Sequence, residues 1–212
     1  MRIALGYFGA IIALTALALG PTAAVPAERL PPLPRTGTAA VETGEARPPL
    51  GWVDFCYRHP QDCRRNIVEP DELALTAPLW RKLVTVNKAV NDAVQPLADK
   101  AHWGLSESWD YPDDGTGDCE DYALEKRKRL IAAGFPNRVL LMTVVLDENR
   151  EGHAVLTVRT SRGDLVLDNK RDAILPWDST GYSFIKRESQ AEPGWAALGD
   201  AVAHTATATF VP

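Results

Sequence analysis

The order in which the hydrophobic periodicity changes along the chain is the feature that most restricts its fold. Over residues 76–97, apolar side chains recur at steps of three and four, which predicts an amphipathic helix. A second helix is predicted over residues 119–133, because Asp118 is a suitable N-cap and Gly134 with Pro136 ends the pattern.

After Gly134 the pattern becomes that of β-strands. Residues 138–146 form a nearly continuous apolar run rich in β-branched side chains, and residues 153–160 and 164–168 flank a hairpin signal. One more strand is predicted over residues 182–187. Helices followed by an antiparallel meander are typical of α+β proteins, so we expect one α+β domain.

Composition excludes several classes of protein. The chain has 212 residues, of which 45% are hydrophobic and 24% charged, so wholesale disorder, collagen-like structure and a coiled coil are excluded. Lys and Arg number 23 against 28 Asp and Glu, which gives a net charge of −5. This acidity argues against a nucleic-acid-binding protein, which needs a cationic face for phosphates.

The chain divides into four segments. Residues 1–24 have the pattern of a secretory signal peptide, with cleavage after Ala24 or Ala27; an uncleaved membrane anchor is the alternative. Residues 25–50 are rich in proline and predict a disordered linker, and residues 200–212 predict a flexible tail. Residues 51–199 are the expected domain. No other apolar run is long enough to span a membrane, so we expect an exported protein without a membrane span after signal cleavage.

The chain contains three cysteines, and two of them lie close together. Cys56 and Cys63 are seven residues apart, with Pro60 between them, and an exported protein can join them in a disulfide. Free thiols, or a metal site that also uses His59, are the alternatives, although the spacing is poor for zinc.

Cys119 lies in the first turn of the second predicted helix, where unpaired backbone N–H groups and the helix dipole favour a thiolate. His153 opens one predicted strand and Asp168 ends the next. These three residues form a candidate Cys–His–Asp triad. The alternative is a small buried cysteine and an ordinary strand histidine.

The triad hypothesis sets a condition on the hairpin. In an antiparallel hairpin, the numbers of two residues that lie opposite each other always add up to the same constant. His153 and Asp168 lie on the same face of the sheet only if this constant is odd. We expect the two to be neighbours only if the connection is longer than a two-residue turn at Arg162-Gly163.

Seven acidic residues crowd into residues 107–121, and Asp118, Glu120 and Asp121 adjoin Cys119. Carboxylates oppose thiolate formation, and a bound cation would remove the conflict. Oxygen ligands in this number suit Ca²⁺, although the segment lacks the spacing of an EF-hand. A solvated acidic loop is the alternative.

Three short motifs carry a resemblance to a known family, the bacterial transglutaminase-like cysteine proteinases. They are Gly-Asp-Cys-Glu-Asp-Tyr-Ala (117–123), Gly-His-Ala-Val-Leu (152–156) and Val-Leu-Asp-Asn (166–169). The resemblance covers residues 52–195 and includes Phe55-Cys56 with Cys63, Trp109, and Tyr182 with Lys186-Arg187.

The resemblance implies a papain/transglutaminase-like α+β core, in which a nucleophile at a helix N-terminus packs on an antiparallel sheet that carries the His and the Asp. Cys119 would be the nucleophile, His153 the general base and acid, and Asp168 the residue that orients His153. Calcium would bind the carboxylates beside the cysteine, which are Asp118, Glu120 and Asp121. The oxyanion site would use the backbone of Cys119 and Trp109, although Trp109 can equally be a core residue.

The implied function is a calcium-dependent periplasmic endopeptidase. Family members cleave the N-terminal region of a large cell-surface adhesin, which releases the cell from its biofilm. An inner-membrane cyclic di-GMP receptor controls them by sequestering the protease through its periplasmic domain. The same triad also serves transglutaminases and peptidoglycan amidases, and a non-catalytic calcium-dependent binding module is a further alternative.

Overall fold

A computed structural model of the chain describes residues 31–64, 66–190 and 194–199. The predicted signal peptide (1–24), the first residues of the predicted linker (25–30) and the predicted tail (200–212) lie outside the described residues. Within the described ranges, no helix is both long and apolar enough to cross a membrane.

The described elements are four α-helices, nine strands and two short 3₁₀ helices (Asn137–Val139 and Trp177–Ser179). The helices are α1 (Leu50–Arg58), α2 (Ala77–Ala93), α3 (Asp99–His102) and α4 (Cys119–Ala132). The strands are β1 (Glu42–Ala46), β2 (Gln95–Pro96), β3 (Thr116–Gly117), β4 (Leu140–Leu146), β5 (Gly152–Thr160), β6 (Gly163–Leu167), β7 (Leu175–Pro176), β8 (Ser183–Glu188) and β9 (Trp195–Leu198).

Seven strands form one antiparallel sheet in the order β1-β9-β8-β4-β5-β6-β7, and β2 pairs with β3 in a short parallel ladder. The predicted α+β class is therefore confirmed. The larger hydrophobic core lies between the helices and one face of this sheet. On the opposite face, Val145, Val155 and Val166 form a smaller cluster with Ala40.

Helix α4 begins where the sequence predicted. Asp118 is its N-cap, and its side chain accepts the backbone N–H of Asp121, while Asp121 Oδ2 accepts the backbone N–H of Asp118 at 3.2 Å. This reciprocal capping box satisfies two backbone donors of the first turn. It therefore fixes Cys119 as the first helical residue.

Helix α2 is shorter than predicted. It ends at Ala93, whereas the apolar periodicity predicted residue 97. Pro96 disfavours helical backbone at the residue before it, and the chain leaves the helix to pair with β3. Gln95 and Leu97 donate their backbone N–H groups to Gly115 and Gly117 at 2.8 and 2.9 Å. This ladder places the chain after β2 beside the start of α4.

The prediction of a disordered linker over residues 25–50 was wrong for its described part. Strand β1 pairs with β9, and the segment before it is bonded to the sheet: Gly37 N–H donates to the carbonyl of Arg162 at 2.9 Å, and Ala40 N–H donates to Asp164 Oδ2 at 2.9 Å. The segment has few apolar residues, so its sequence does not reveal these backbone bonds. The domain therefore begins before residue 51, and the segment covers the smaller core.

Candidate active site

Cys119 is buried at the start of α4, with 5% of its surface exposed. Its Sγ accepts the backbone N–H of Ala154 at 3.4 Å and donates to Glu120 Oε2 at 3.0 Å. Burial, followed by the charges of Glu120 and Asp118, raises the pKa of the Cys119 thiol well above its usual range. The adjacent carboxylates therefore oppose the thiolate, which is the conflict that the sequence predicted.

His153 and Asp168 meet across the hairpin of β5 and β6. The register pairs Leu156 with Leu167 and Thr160 with Gly163, which makes Asp168 a diagonal neighbour of His153. His153 Nε2 lies 2.9 Å from Asp168 Oδ1, and both side chains are buried. The expectation of a connection longer than two residues was wrong. The connection has two residues, Ser161 and Arg162, and lies one position before the turn at Arg162-Gly163 that the expectation considered. This shift is sufficient to make His153 and Asp168 neighbours.

The Asp168 carboxylate is held in its charged form. Tyr182 donates its hydroxyl to Oδ2 at 2.6 Å, and the Lys170 backbone N–H donates to Oδ1 at 3.0 Å. Burial alone would raise the pKa of Asp168, but the hydrogen bonds and the charge of His153 outweigh it and lower the pKa to about 2.

Cys119 and His153 line the same cavity, whose volume is about 100 Å³. The segment that follows β2 forms one wall of the cavity. The start of β5 and the loop that follows β6 form the other wall. The lining residues are Pro96, Leu97, Ala98, Asp118, Cys119, Glu151, Gly152, His153, Asn169 and Lys170. The structure thus brings together the start of α4 and the His–Asp pair.

Trp109 lies in the larger hydrophobic core. Its ring is fully buried against Trp52 and Trp195, at centroid distances of 5.7 and 6.2 Å, and its Nε1 donates to Glu107 Oε1 at 3.0 Å. It is absent from the cavity lining, and its burial favours the core alternative over the oxyanion role. Gly51 permits this packing, because a Cβ there would lie 2.3 Å from the Trp109 ring.

Asp118 and Asp121 form a buried cluster with Asp99, a residue that the sequence analysis missed. One ligand atom from each of the three lies within 4.8 Å of the others. Asp99 reaches this position because the β2–β3 ladder carries α3 to the start of α4, and its backbone N–H donates to Asp118 Oδ2 at 3.3 Å. Nineteen residues separate Asp99 from Asp118, so no local pattern could have revealed it.

Glu120 does not belong to the group of Asp99, Asp118 and Asp121. It forms a second group of possible ligands with Asp118 and Cys119, again within 4.8 Å, and it is 1% exposed. Asp118 is common to both groups. The three predicted ligands are therefore divided between two clusters that share Asp118.

The acidic cluster is electrostatically unfavourable without a cation. Burial is the largest cause of the raised pKa values of Asp99, Asp118, Glu120 and Asp121. Neighbouring carboxylates raise the pKa values of Asp99, Glu120 and Asp121 further. The pKa of Asp99 rises to about 6 and that of Asp121 to about 8. Asp99 Oδ1 and Asp118 Oδ1 are buried without a hydrogen-bond partner in the described part of the chain. A cation would satisfy both oxygens and reduce the repulsion.

The three cysteines divide as two and one. Cys56 and Cys63 form a disulfide with a Cα–Cα distance of 5.6 Å, and all three cysteines lie in described residues. Cys119 is therefore the only free thiol of the chain.

Comparison with known proteins places this site in a family. A family model of bacterial transglutaminase-like cysteine proteinases (BTLCP) matches residues 42–203. The chain belongs to this family. As a bacterial transglutaminase-like cysteine proteinase it is a cysteine protease, and the predicted family and core are confirmed.

Solved structures of Legionella pneumophila LapG are similar to this proteinase. The calcium-bound form is 26% identical, with a TM-score of 0.50, over 61% of this chain and 76% of LapG. A second LapG structure is 28% identical (TM-score 0.48; 58% and 70% coverage), and an EGTA-treated form is 27% identical (TM-score 0.47; 57% and 70% coverage). No curated protein matches the chain significantly.

Proposed function

We propose that this proteinase is a calcium-dependent endopeptidase in which Cys119 is the nucleophile, His153 the general base and acid, and Asp168 the residue that orients His153. The observation that carries the proposal is the shared cavity: the free thiol at the start of α4 opens into the same small space as a histidine whose Nε2 lies 2.9 Å from a buried carboxylate.

The hydrogen bonds within the site determine which atoms are left for the proposed reaction. Because His153 Nε2 faces Asp168, its Nδ1 is left to accept the proton of the Cys119 thiol. Sγ then attacks the scissile carbonyl, and backbone N–H groups at the start of α4, including that of Cys119, stabilise the oxyanion. His153 returns the proton to the leaving amine. Water, deprotonated by His153, then attacks the acyl-enzyme and releases the second product.

Calcium fits the acidic cluster. The donors are carboxylate oxygens, which Ca²⁺ prefers. Three of them are buried without a hydrogen-bond partner among the described residues: Asp99 Oδ1, Asp118 Oδ1 and Glu120 Oε1. Asp118, Asp121 and Asp99 would hold the ion, and Glu120 is close enough to Asp118 to contribute. When bound, the ion supplies positive charge that offsets the carboxylates beside Cys119. Those carboxylates then no longer oppose loss of the thiol proton.

We extend the proposal to substrate, location and control. The substrate is the N-terminal region of a large cell-surface adhesin, the enzyme acts in the periplasm after export by residues 1–24, and the periplasmic domain of an inner-membrane cyclic di-GMP receptor sequesters it to control biofilm release. The family membership and the similarity to LapG support this extension, as does the pattern of the N-terminal residues.

The test is cleavage of the N-terminal fragment of a large adhesin encoded in the same genome. We expect the wild type to cleave it with Ca²⁺, and neither Cys119→Ala nor the EGTA-treated wild type to do so. Cleavage by Cys119→Ala would refute the assignment of the nucleophile, whereas cleavage after chelation would refute only the calcium requirement. Incorporation of a primary amine in place of hydrolysis would make the enzyme a transglutaminase.

A further inference from the structure

Tyr182 contacts the proposed triad from outside the cavity. It lies immediately before β8, and its hydroxyl donates to Asp168 Oδ2 at 2.6 Å, the shortest hydrogen bond that this carboxylate receives. Its ring stands edge-on to the His153 imidazole, with centroids 5.7 Å apart and planes 84° apart. Tyr182 does not line the cavity, so we expect it to influence a reaction through its contacts with Asp168 and His153.

Arg171 fixes the direction of this hydrogen bond. Its guanidinium donates to the Tyr182 hydroxyl oxygen at 2.9 Å and lies over the Tyr182 ring at 5.1 Å. A phenol has one proton to donate, and with Arg171 occupying its oxygen as an acceptor, that proton is directed to Asp168. Arg171 is itself held by Glu148 at 2.6 Å, across the loop that leads into β5.

The backbone around Tyr182 is fixed as well. Thr180 Oγ1 accepts the backbone N–H of Tyr182 at 3.1 Å and donates to the carbonyl of Trp177 at 2.9 Å. Burial, followed by the hydrogen bond to Asp168 and its charge, raises the pKa of the Tyr182 hydroxyl, so it stays protonated at neutral pH. A fixed and protonated donor is what orientation of a carboxylate requires.

We propose that Tyr182 is a positioning residue, which holds the Asp168 carboxylate so that Oδ1 faces His153 Nε2. The inference rests on the proposed function, because it assumes that Asp168 orients the histidine that activates Cys119. It adds Tyr182, and with it Arg171, which bonds the Tyr182 hydroxyl and also pairs with Asp168 Oδ2 at 3.5 Å. Both residues act on the nucleophile through Asp168.

The test uses the rate at which iodoacetamide alkylates Cys119, measured with Ca²⁺ over a range of pH. Cys119 is the only free thiol, so this rate reports its thiolate without any protein substrate. We expect Tyr182→Phe to lower the rate at neutral pH about tenfold, since a hydrogen bond to a charged group is lost. With the adhesin fragment, kcat should fall by a similar factor at unchanged KM.

The chain offers a matched control. Tyr111 also donates its hydroxyl to a carboxylate, Asp62 Oδ2 at 3.0 Å, away from the cavity lining. Tyr111→Phe should change the alkylation rate by less than twofold.

A double-mutant cycle separates positioning from general structural damage. In an Asp168→Asn background, adding Tyr182→Phe should change the alkylation rate by less than twofold. A further tenfold loss in that background, or an unchanged rate in Tyr182→Phe alone, would overturn the inference. If Asp168→Asn itself leaves the rate unchanged, the proposed triad fails instead, so the two failures are distinguishable.

Discussion

Two buried clusters of charged side chains in this proteinase are built in opposite ways. In the first, Asp164 is fully buried and accepts from Arg159 Nε at 2.5 Å and from Arg187 Nη1 at 2.7 Å, while Glu42 pairs with Arg187 at 3.0 Å. Two cations face two carboxylates. In the second, the acidic cluster beside Cys119, no ion pair joins the three aspartates to a lysine or arginine within the described ranges.

The difference separates a structural cluster from a binding site. Every oxygen of Asp164 has a partner, and the cluster joins the N-terminal segment to the sheet through Ala40. In the acidic cluster, Asp99 Oδ1 and Asp118 Oδ1 have no hydrogen-bond partner in the part of the chain that the structure describes, and the pKa of Asp121 rises to about 8. A buried cluster that lacks its counter-charge destabilises the protein unless a ligand supplies that charge. We therefore expect the two clusters to respond differently to mutation and to calcium.

The largest effect is expected from breaking the balanced cluster. Arg187→Met leaves Asp164 with one cation and Glu42 with none, and we expect the free energy of unfolding to fall by about 3–5 kcal/mol, equally with and without Ca²⁺. Urea unfolding measures this loss. Lys186→Met, the neighbouring cation on β8, is the control and should cost much less. Among the described residues its Nζ forms no ion pair; it donates to the carbonyl of Arg47 and lies 5.9 Å from the centre of the Trp195 ring. A loss that depends on calcium would contradict the separation of the two clusters.

The second prediction supplies the missing charge to the acidic cluster. Ca²⁺ at 100 to 1,000 times its Kd should raise the free energy of unfolding by about 3–4 kcal/mol, measured by urea unfolding with and without EGTA. Asp121→Asn should lose most of this gain. Asp113→Asn removes an exposed carboxylate from the same segment and should keep it. An equal gain in both variants would place the ion elsewhere.

The sequence could predict those features of the site that depend on residues close to one another along the chain. The position of Cys119 depends on a capping box within four residues, and the meeting of His153 and Asp168 depends on one hairpin, so local patterns were sufficient. Even there, the turn could not be placed, because a shift of one residue changes which residues face each other.

What the sequence could not predict depends on contacts between distant segments. Asp99 joins the acidic cluster through the ladder of β2 and β3, and Trp109 enters the core because Gly51 of α1 leaves room for it. The segment before α1 is ordered by hydrogen bonds to Arg162 and Asp164, more than 120 residues away, and not by its own composition. No local periodicity carries such information.

The smallest change in the free energy of unfolding is expected at Lys126, a single buried cation that belongs to neither cluster. It is 1% exposed, and its Nζ has no hydrogen-bond partner among the described residues. Burial lowers the pKa of Lys126 to about 7, although the charges of Asp168 and Asp172 oppose this shift. We expect Lys126→Met to raise the free energy of unfolding by about 1–2 kcal/mol near pH 6, because it removes a charge without full compensation.

The pH dependence of this gain identifies its cause. Between about pH 7 and the ordinary lysine pKa of 10.5, the unfolded chain binds a proton at Lys126 that the folded chain does not. Wild-type stability therefore rises with pH across this window relative to that of Lys126→Met, and the difference should shrink as the pH approaches 10.5. Lys128→Met, an exposed cation on the same helix, should run parallel to the wild type. A gain in Lys126→Met that is constant with pH would mean that improved packing, and not the uncompensated charge, is responsible.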